Sequence, residues 1–303
     1  MKRIVIVFIA IIAAIAFSSC EKEQLGMYNP KKKIHKIYQK TGNSEKKLTE
    51  TWTWEGDKLM RVDIDDIGAS IADIFEYDGK FMSKITRTMT HLSGQSVVGE
   101  FLFSYDGKKL TKIELLTDGV IDGYVTFLYE GNKISKMMTE LSITKSSQAV
   151  DIVFSSMRYV LPAELLNILK ETHKSMEKST ADAQIVLTST LTWDGDNIKK
   201  VIAETLFGEN VQIHNIEYSY DTKNNPFYGN YLGSTTTTIT GAGTNGMTKN
   251  NPTKIVRFIV DEPYSNMEAT YTYKYEGNYP VEVISAITNA DILPETTYYE
   301  YFD

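Results

Sequence analysis

Chemistry that depends on a cation needs clustered oxygen ligands, and one stretch of the chain brings acids together. Three aspartates and a glycine stand at the spacing of the first positions of a calcium loop: Asp63, Asp65, Asp66 and Gly68. The fifth and twelfth positions, where such a loop requires oxygen ligands, hold Ile67 and Ile74. We therefore interpret the acids as exposed side chains of a strand, while a calcium site built from residues distant in sequence stays open.

Nucleotide and zinc chemistry are also poorly supported by the motifs present. The letters GAGTNG, residues 241–246, match a dinucleotide fingerprint, but that motif works only between a strand and a helix N-terminus. Pro252 and paired asparagines follow and oppose a helix, so we predict a hairpin loop. No two histidines have the i, i+4 spacing of a helical zinc site, and no G-x-S-x-G motif occurs. We expect no cofactor and lean against an enzyme, although a dispersed triad or acid pair stays open.

Cys20 is the only cysteine in the 303 residues, which excludes an intramolecular disulfide and a thiolate metal cluster. It is preceded by a positive segment (Lys2 and Arg3), an apolar run over residues 4–17 and two serines. This pattern predicts a secretory signal over residues 1–19. The apolar run is shorter than the roughly 20 residues that a permanent transmembrane helix needs.

The stretch FSSC, residues 17–20, resembles the lipobox of bacterial lipoproteins, although Phe17 stands where the common lipobox prefers Leu. In that family the cysteine is lipidated and becomes the new N-terminus. The resemblance implies that Cys20 carries acyl chains and anchors an exported protein to the bacterial membrane. The expected location is the outer membrane, on its periplasmic or surface face, with a linker over residues 20–30. Ordinary cleavage that leaves a free thiol is the alternative.

The charge of the mature chain is acidic. Removing residues 1–19 takes away two basic residues, which leaves 30 Lys and Arg against 39 Asp and Glu, a formal charge of −9. We expect no nucleic acid partner, because phosphates require clustered cations. One basic cluster lies near the expected anchor: Lys31, Lys32, Lys33 and Lys36. We interpret it as the solvated face of a first strand, with contact to a membrane surface as the alternative.

An aromatic residue, an acid and a glycine recur along the chain, and this repeat is its strongest pattern. The aromatic position is held by Trp54, Tyr77, Tyr105, Tyr129, Trp193, Tyr220 and Tyr275. Consecutive units are 23 to 28 residues apart. In the longer gap before the last unit, NNPTKIVRF (residues 250–258) has the tail of a unit without its aromatic head. The run TYYEYF, residues 297–302, continues this period and predicts a final strand. The repeat therefore indicates one structural unit that is used many times.

Each unit has the properties of a β-hairpin. Phe101, Phe103 and Tyr105 show the two-residue period of a strand, and the acid-glycine pair that follows favours a tight turn. The step of three from Leu110 to Ile113 predicts a β-bulge just after the turn. Prolines at the corresponding position of two units are expected at strand starts or unpaired edges. The predicted fold is mainly β, an antiparallel meander of these hairpins in a large curved or barrel-like sheet.

Residues 162–178, PAELLNILKETHKSMEK, interrupt the repeats and predict one amphipathic helix packed on the sheet. Its apolar stripe consists of Leu165, Leu166, Leu169, Thr172 and Met176. The helix divides a repeat domain of residues 31–303 into similar halves, about 31–150 and 183–303. The sequence does not decide whether these halves are one domain or two.

The repeat units resemble the YD-type repeats of secreted bacterial proteins. With the lipobox, the stretches YSYDTKNNPF (residues 218–227) and YKYEGNYPVEV (residues 273–283) make the chain similar to a family of Bacteroides-type lipoproteins of unknown function. The resemblance covers most of the mature chain. It implies an exported, anchored, β-rich protein and supplies no catalytic residues.

The 19 tyrosines and 3 tryptophans could form stacking platforms for sugars. Trp54 and Trp193 occupy the aromatic position of the repeat, so we expect them to be structural, which leaves Trp52 as the candidate for stacking on a ligand. The main hypothesis is a membrane-anchored, non-enzymatic protein with a structural or ligand-binding role, its partner a glycan or an envelope protein. The alternatives are an envelope hydrolase acting on polysaccharide or peptide, and a carrier of an apolar ligand.

Overall fold

The computed structural model describes residues 28, 30–66, 69–143, 163–176, 183–229, 246–260, 262–288 and 293–302. These residues form sixteen strands and one helix. In chain order they are β1 (Ile34–Thr41), β2 (Lys47–Glu55), β3 (Lys58–Asp66), β4 (Ala69–Asp78), β5 (Phe81–His91), β6 (Ser96–Asp106), β7 (Lys109–Thr117), β8 (Val120–Glu130), β9 (Lys133–Ile143), α1 (Ala163–Met176), β10 (Ala183–Asp194), β11 (Asn197–Phe207), β12 (Asn210–Asn224), β13 (Asn250–Ile259), β14 (Glu262–Glu276), β15 (Tyr279–Thr288) and β16 (Glu295–Tyr301).

The strands form a closed antiparallel barrel in which each strand pairs with its neighbours in the chain and β1 pairs with β16. This confirms the predicted meander and shows that it closes completely, so the sheet has no free edge. The strands before and after α1 belong to this one sheet, because β9 pairs directly with β10. The last strand also confirms the strand predicted at the C-terminus.

Side chains alternate between an apolar interior and a more polar outer surface. On β5, Ile85, Arg87 and Met89 are buried, whereas Thr86 and Thr88 between them are partly exposed. Apolar residues from all sixteen strands join in one hydrophobic cluster with those of α1. Many of them, such as Ile113 on β7, have no exposed surface. The interior next to these residues is therefore filled by the protein's own side chains.

A β-bulge follows each repeat turn, as the sequence predicted. Ser104 pairs with Lys112 and Tyr105 with Leu110, so that Thr111 is the extra residue. Equivalent register shifts accompany the turns after Trp54, Tyr77, Tyr129, Trp193 and Tyr275. The register also shifts at Tyr220, but there β12 continues to Asn224 and a longer loop to β13 replaces the tight turn. The extra residue explains the step of three in the sequence, because it lets Leu110 and Ile113 both point into the core.

The helix α1 packs against the inner face of the barrel wall. It contacts β10 and β11, and its Leu165, Leu166 and Leu169 are buried as predicted, together with Ile168. Arg257 of β13, which alternates with buried isoleucines, forms an ion pair with the helix at an N–O distance of 3.1 Å. Residue 162 and residues 177–178, the predicted ends of the helix, lie outside the described residues. No described helix is long and apolar enough to cross a membrane.

The end of the barrel that carries the repeat turns is covered by residues from outside the strands. The Tyr28 hydroxyl donates to the carbonyl oxygen of Pro226 at 2.7 Å, in the loop between β12 and β13. Phe227 of the same loop packs against Trp52 and Tyr299, with ring centroids 6.0 Å apart in both pairs. Most of the GAGTNG motif, residues 241–245, lies outside the described residues.

Candidate functional site

The repeat aromatics hold neighbouring units together and are therefore structural, as predicted. The Tyr105 hydroxyl donates to the carbonyl oxygen of Met82 at 2.8 Å, and the Trp54 indole N–H donates to that of Ile34 at 2.8 Å. Met82 lies just after the turn of the preceding unit, and Ile34 holds the corresponding position at the start of β1. The same bond is made by Tyr77, Tyr129, Trp193, Tyr220, Tyr273 and Tyr301. In the β14 unit, Tyr273 makes this bond in place of the repeat aromatic Tyr275. The hydroxyl of Tyr275 donates to Asp221 instead.

A lysine two residues after the glycine completes this connection. Lys109 donates to the carbonyl oxygen of Gly131 at 2.7 Å, and its Nζ lies 5.2 Å from the ring centroid of Tyr129. The turn of one unit thus receives both a hydrogen bond and a cation–π contact from the unit before it. The contacts of these lysines and aromatics therefore stabilise the barrel.

Trp52, the residue proposed from the sequence for ligand stacking, is only 1% exposed. Its indole N–H donates to Glu50 at 2.8 Å, and its ring stacks on Trp54 with centroids 6.3 Å apart. The alternation of β2 turns it into the core, so it has no face on which a glycan outside the barrel could stack. The candidate site must be sought elsewhere on the surface.

The acids of the calcium-like stretch are engaged by cations. Asp63 is paired with Arg61, with the shortest contact 2.6 Å, and Asp65 lies 3.0 Å from Lys47. Gly68 and the side chain of Asp66 are outside the described residues, as is Cys20. Within the described part of the chain, no group of three His, Cys, Asp or Glu side chains could hold a metal ion.

Polar groups inside the barrel are buried in packed surroundings. Asp73 and Arg87 form a fully buried ion pair at 2.6 Å. His214 is also buried, and burial together with the nearby Arg257 lowers the pKa of its imidazole to about 4. These groups are enclosed by the wall and have no described opening to a substrate, so we assign them to the core.

A cleft of about 650 Å³ opens on the outer surface along the junction of β1 and β16. We call it the seam cleft, and its principal side chains are Lys31, Lys32, Tyr38, Lys46, Tyr298 and Glu300. The first and last strands of the chain supply its floor, and the loop between β1 and β2 supplies Lys46. Its volume falls in the usual range of small-molecule sites, about 300 to 1,000 Å³.

Two tyrosines line one end of the seam cleft. Tyr38 and Tyr298 are direct partners in the β1–β16 register, and both point outward because their neighbours Ile37 and Tyr299 are buried. The Nζ of Lys46 lies 4.3 Å from the ring centroid of Tyr38 and 4.4 Å from that of Tyr298. One ammonium group is thus held over two aromatic rings by cation–π attraction.

Glu300 lies beside this pair and remains ionised. It accepts a hydrogen bond from the Tyr38 hydroxyl at 3.0 Å and lies 3.1 Å from His35 and 3.7 Å from Lys36. The hydrogen bond from Tyr38, followed by the charges of Lys36 and His35, holds the pKa of Glu300 below its usual value. Burial and the bond to Glu300 raise the pKa of Tyr38, which keeps its hydroxyl protonated as the donor.

Sequence reasoning found only part of this site. The cluster of Lys31, Lys32 and Lys33 was noticed, and all three lie in the seam cleft. Tyr38 and Tyr298 were missed, because the aromatic run at the C-terminus predicted only a strand. Their pairing depends on closure of the barrel, which joins residues from opposite ends of the chain.

No protein-family model matches the chain, and no curated protein sequence matches it. Among solved structures, it is similar to a porin-like protein from Bacteroides vulgatus ATCC 8482, with 9% sequence identity and a TM-score of 0.38. That similarity covers 89% of this chain and 99% of the other.

Proposed function

We propose that this protein is an exported, lipid-anchored, non-enzymatic binding protein that takes a saccharide in the seam cleft. The observation that carries the proposal is the outward-facing pair of Tyr38 and Tyr298 that lines an open cleft of about 650 Å³. Aromatic side chains offer a large, rigid contact surface at low cost in side-chain entropy. The apolar face of a pyranose ring packs on such a surface, while charged neighbours are placed to bond its hydroxyl groups.

The packed interior argues against a carrier of an apolar ligand. Core residues on opposite sides of the barrel, including Ile37, Ile113 and Val201, have no exposed surface, and α1 occupies space against the inner wall. An apolar ligand bound next to these residues would have to displace their side chains. The outer surface is therefore the better place to look for a partner.

The state of Glu300 argues against hydrolysis in the seam cleft. A glycosidase needs a carboxylic acid that is still protonated near neutral pH, which requires a raised pKa. The environment of Glu300 instead lowers its pKa. Glu276, the other acid in the cleft, lies 3.5 Å from Lys32 and is also engaged by a cation. Binding without bond cleavage fits these groups better.

The lipid anchor proposed at Cys20 would fix the orientation of the barrel. Tyr28 is 3% exposed and is bound at the end that carries the repeat turns. The eight residues from Cys20 to Tyr28 span at most about 28 Å even when fully extended. An acyl chain on Cys20 would therefore keep that end of the barrel close to the membrane. Replacing Cys20 with Ala should move the protein to the soluble fraction, and retention of C20A in membranes would refute lipidation as the tether.

Calorimetry of the mature chain against a panel of oligosaccharides tests the binding site. Tyr38→Ala and Tyr298→Ala should each weaken binding of the best saccharide at least about tenfold, since each removes a stacking surface. The matched control is Tyr124→Ala on another part of the outer surface. Tyr124 also donates to a glutamate, Glu140, at 2.7 Å, and also lies under a lysine, Lys112, at 4.9 Å.

Comparison of the two cleft variants with the control shows whether saccharide binding is specific to the seam cleft or common to exposed tyrosines. Loss of affinity in both cleft variants but not in Y124A would support the proposal. Equal loss in all three variants, or no saccharide binding by the folded wild-type protein, would refute it.

A further inference from the structure

The seam cleft is a cationic place on an acidic chain. More lysines than acidic residues line it. The four lysines are Lys31, Lys32, Lys33 and Lys46, and the two glutamates are Glu276 and Glu300. The formal net charge of the whole chain is −7, so this excess of positive charge runs against the average of the surface. A cleft of one sign concentrates its electric field and favours ligands of the opposite sign.

Some of these charges are already balanced within the protein. Lys33 lies 2.9 Å from Asp57, and Lys32 lies 3.5 Å from Glu276. Glu300 is surrounded by the hydroxyl of Tyr38 and two basic side chains, as described above. Its negative charge is therefore already balanced and does not offset the remaining lysines.

Lys46 is the cation that lies over the two tyrosines. Among the described residues, no carboxylate forms an ion pair with it, and its Nζ is held between the rings of Tyr38 and Tyr298. Lys31, at the other end of the cleft, likewise has no ion pair within the part of the chain that the structure describes. The aromatic platform thus carries an ammonium group for which the described residues supply no anion.

We infer that the ligand is an acidic saccharide, with a carboxylate on the sugar that contacts Lys46 while the ring packs on Tyr38 and Tyr298. This inference rests on the saccharide function proposed above and adds the class of sugar. The carboxylate supplies the missing anion, and the bond to an ammonium group is charge-assisted. Such a bond contributes roughly ten- to hundredfold in affinity.

The test compares one sugar in two charge states. Titrations at low and moderate salt use tri-galacturonic acid and its fully methyl-esterified form, with a glucosamine trimer as a positively charged probe. We expect the acid to bind at least about tenfold more tightly than the ester, and this ratio to fall as salt rises. In Lys46→Met, the ratio of acid to ester affinity should fall to near one. Lys112→Met, which removes the equivalent lysine over Tyr124, should leave the ratio unchanged.

Each result identifies what has failed. Equal binding of acid and ester by the wild-type protein would overturn the acidic-ligand inference and leave the saccharide function standing. Tighter binding of the glucosamine trimer would also overturn it, because the two tyrosines would then serve as a cation site from which Lys46 is displaced. If none of the three sugars, nor any in the wider panel, binds, the proposed function itself fails.

Discussion

The hydroxyl of Tyr105 lies 2.8 Å from the carbonyl oxygen of Met82, so each repeat is bonded to the turn of the repeat before it. Burial raises the pKa of the Tyr105 phenol, which keeps it protonated as a donor. Met82 has no exposed surface, and water has little access to replace the bond if it is lost. The bond therefore links local turn geometry to the order of strands around the barrel.

Replacing Tyr105 with Phe should lower the free energy of unfolding by about 1 kcal/mol, because one buried hydrogen bond is lost and the ring is kept. Urea denaturation measures this change. The control is Tyr124→Phe, whose hydroxyl bonds to Glu140 on the outer surface. We expect that control to change the free energy of unfolding much less, because water can replace a hydrogen bond that is lost at the surface. Equal effects in both variants would contradict a structural role for the inter-repeat bond.

Two glycines should respond differently to the same substitutions. Gly107 has φ +59°, and an added Cβ would meet nothing within 4 Å, so Gly107→Ala should cost about 1 to 2 kcal/mol from backbone conformation alone. Gly123 has no such φ, but its added Cβ would lie 2.2 Å from the carbonyl oxygen of Glu140. Gly123→Ala should therefore cost more, through displacement of β9.

Substitution with asparagine distinguishes backbone strain at Gly107 from steric crowding at Gly123, because asparagine tolerates positive φ but is larger than alanine. In unfolding experiments, Gly107→Asn should be more stable than Gly107→Ala, while Gly123→Asn should be less stable than Gly123→Ala. The opposite order at Gly107 would show that crowding limits that turn.

Removing one partner of the buried ion pair should be strongly destabilising. Arg87→Met leaves Asp73 as an uncompensated charge in the core and should cost about 3 to 5 kcal/mol. The double variant Asp73→Leu/Arg87→Met should recover most of that loss, since both charges are gone. Arg61→Met provides a control at an exposed pair with Asp63, with an expected cost below about 1 kcal/mol. A double variant as unstable as R87M would show that the pair is needed for more than charge balance.

Stability should depend on pH through His214. Its pKa is lowered to about 4 in the folded protein, so the unfolded chain binds the proton first as the pH falls. Protonation of His214 in the unfolded chain should lower the free energy of unfolding by at most about 3 kcal/mol between pH 6.5 and 4. His214→Gln should remove this part of the pH dependence of the free energy of unfolding. His35→Gln, at a more exposed histidine, should keep it. Identical pH profiles for wild type and H214Q would contradict the assignment.

Local patterns predicted the elements of the fold but not its closure. The step of three between Leu110 and Ile113 predicted a bulge, and the spacing of leucines predicted α1, because both patterns depend on neighbouring residues. The partner of β1 is β16, and no local pattern indicates that pairing. Whether the sheet curves into an open or closed form depends on the sum of its twists and bulges, which single units do not reveal.

The candidate site was harder to predict for the same reason. Trp52 has the residue type of a sugar-binding platform, yet the alternation of β2 places it in the core. Tyr38 and Tyr298 are ordinary tyrosines in their own strands. They become a pair only through the β1–β16 register, so their joint role is a property of the closed barrel.

The pairing of β1 with β16 would also set when the proposed binding site forms in a newly made molecule. Tyr38 is synthesised well before its partner Tyr298, which follows it 260 residues later in the chain. A nascent or prematurely terminated chain that lacks β16 would have half of the aromatic surface and none of the register that aligns it. Ligand capture at the proposed site would thus be confined to molecules in which β16 has paired with β1, so binding would report closure of the barrel.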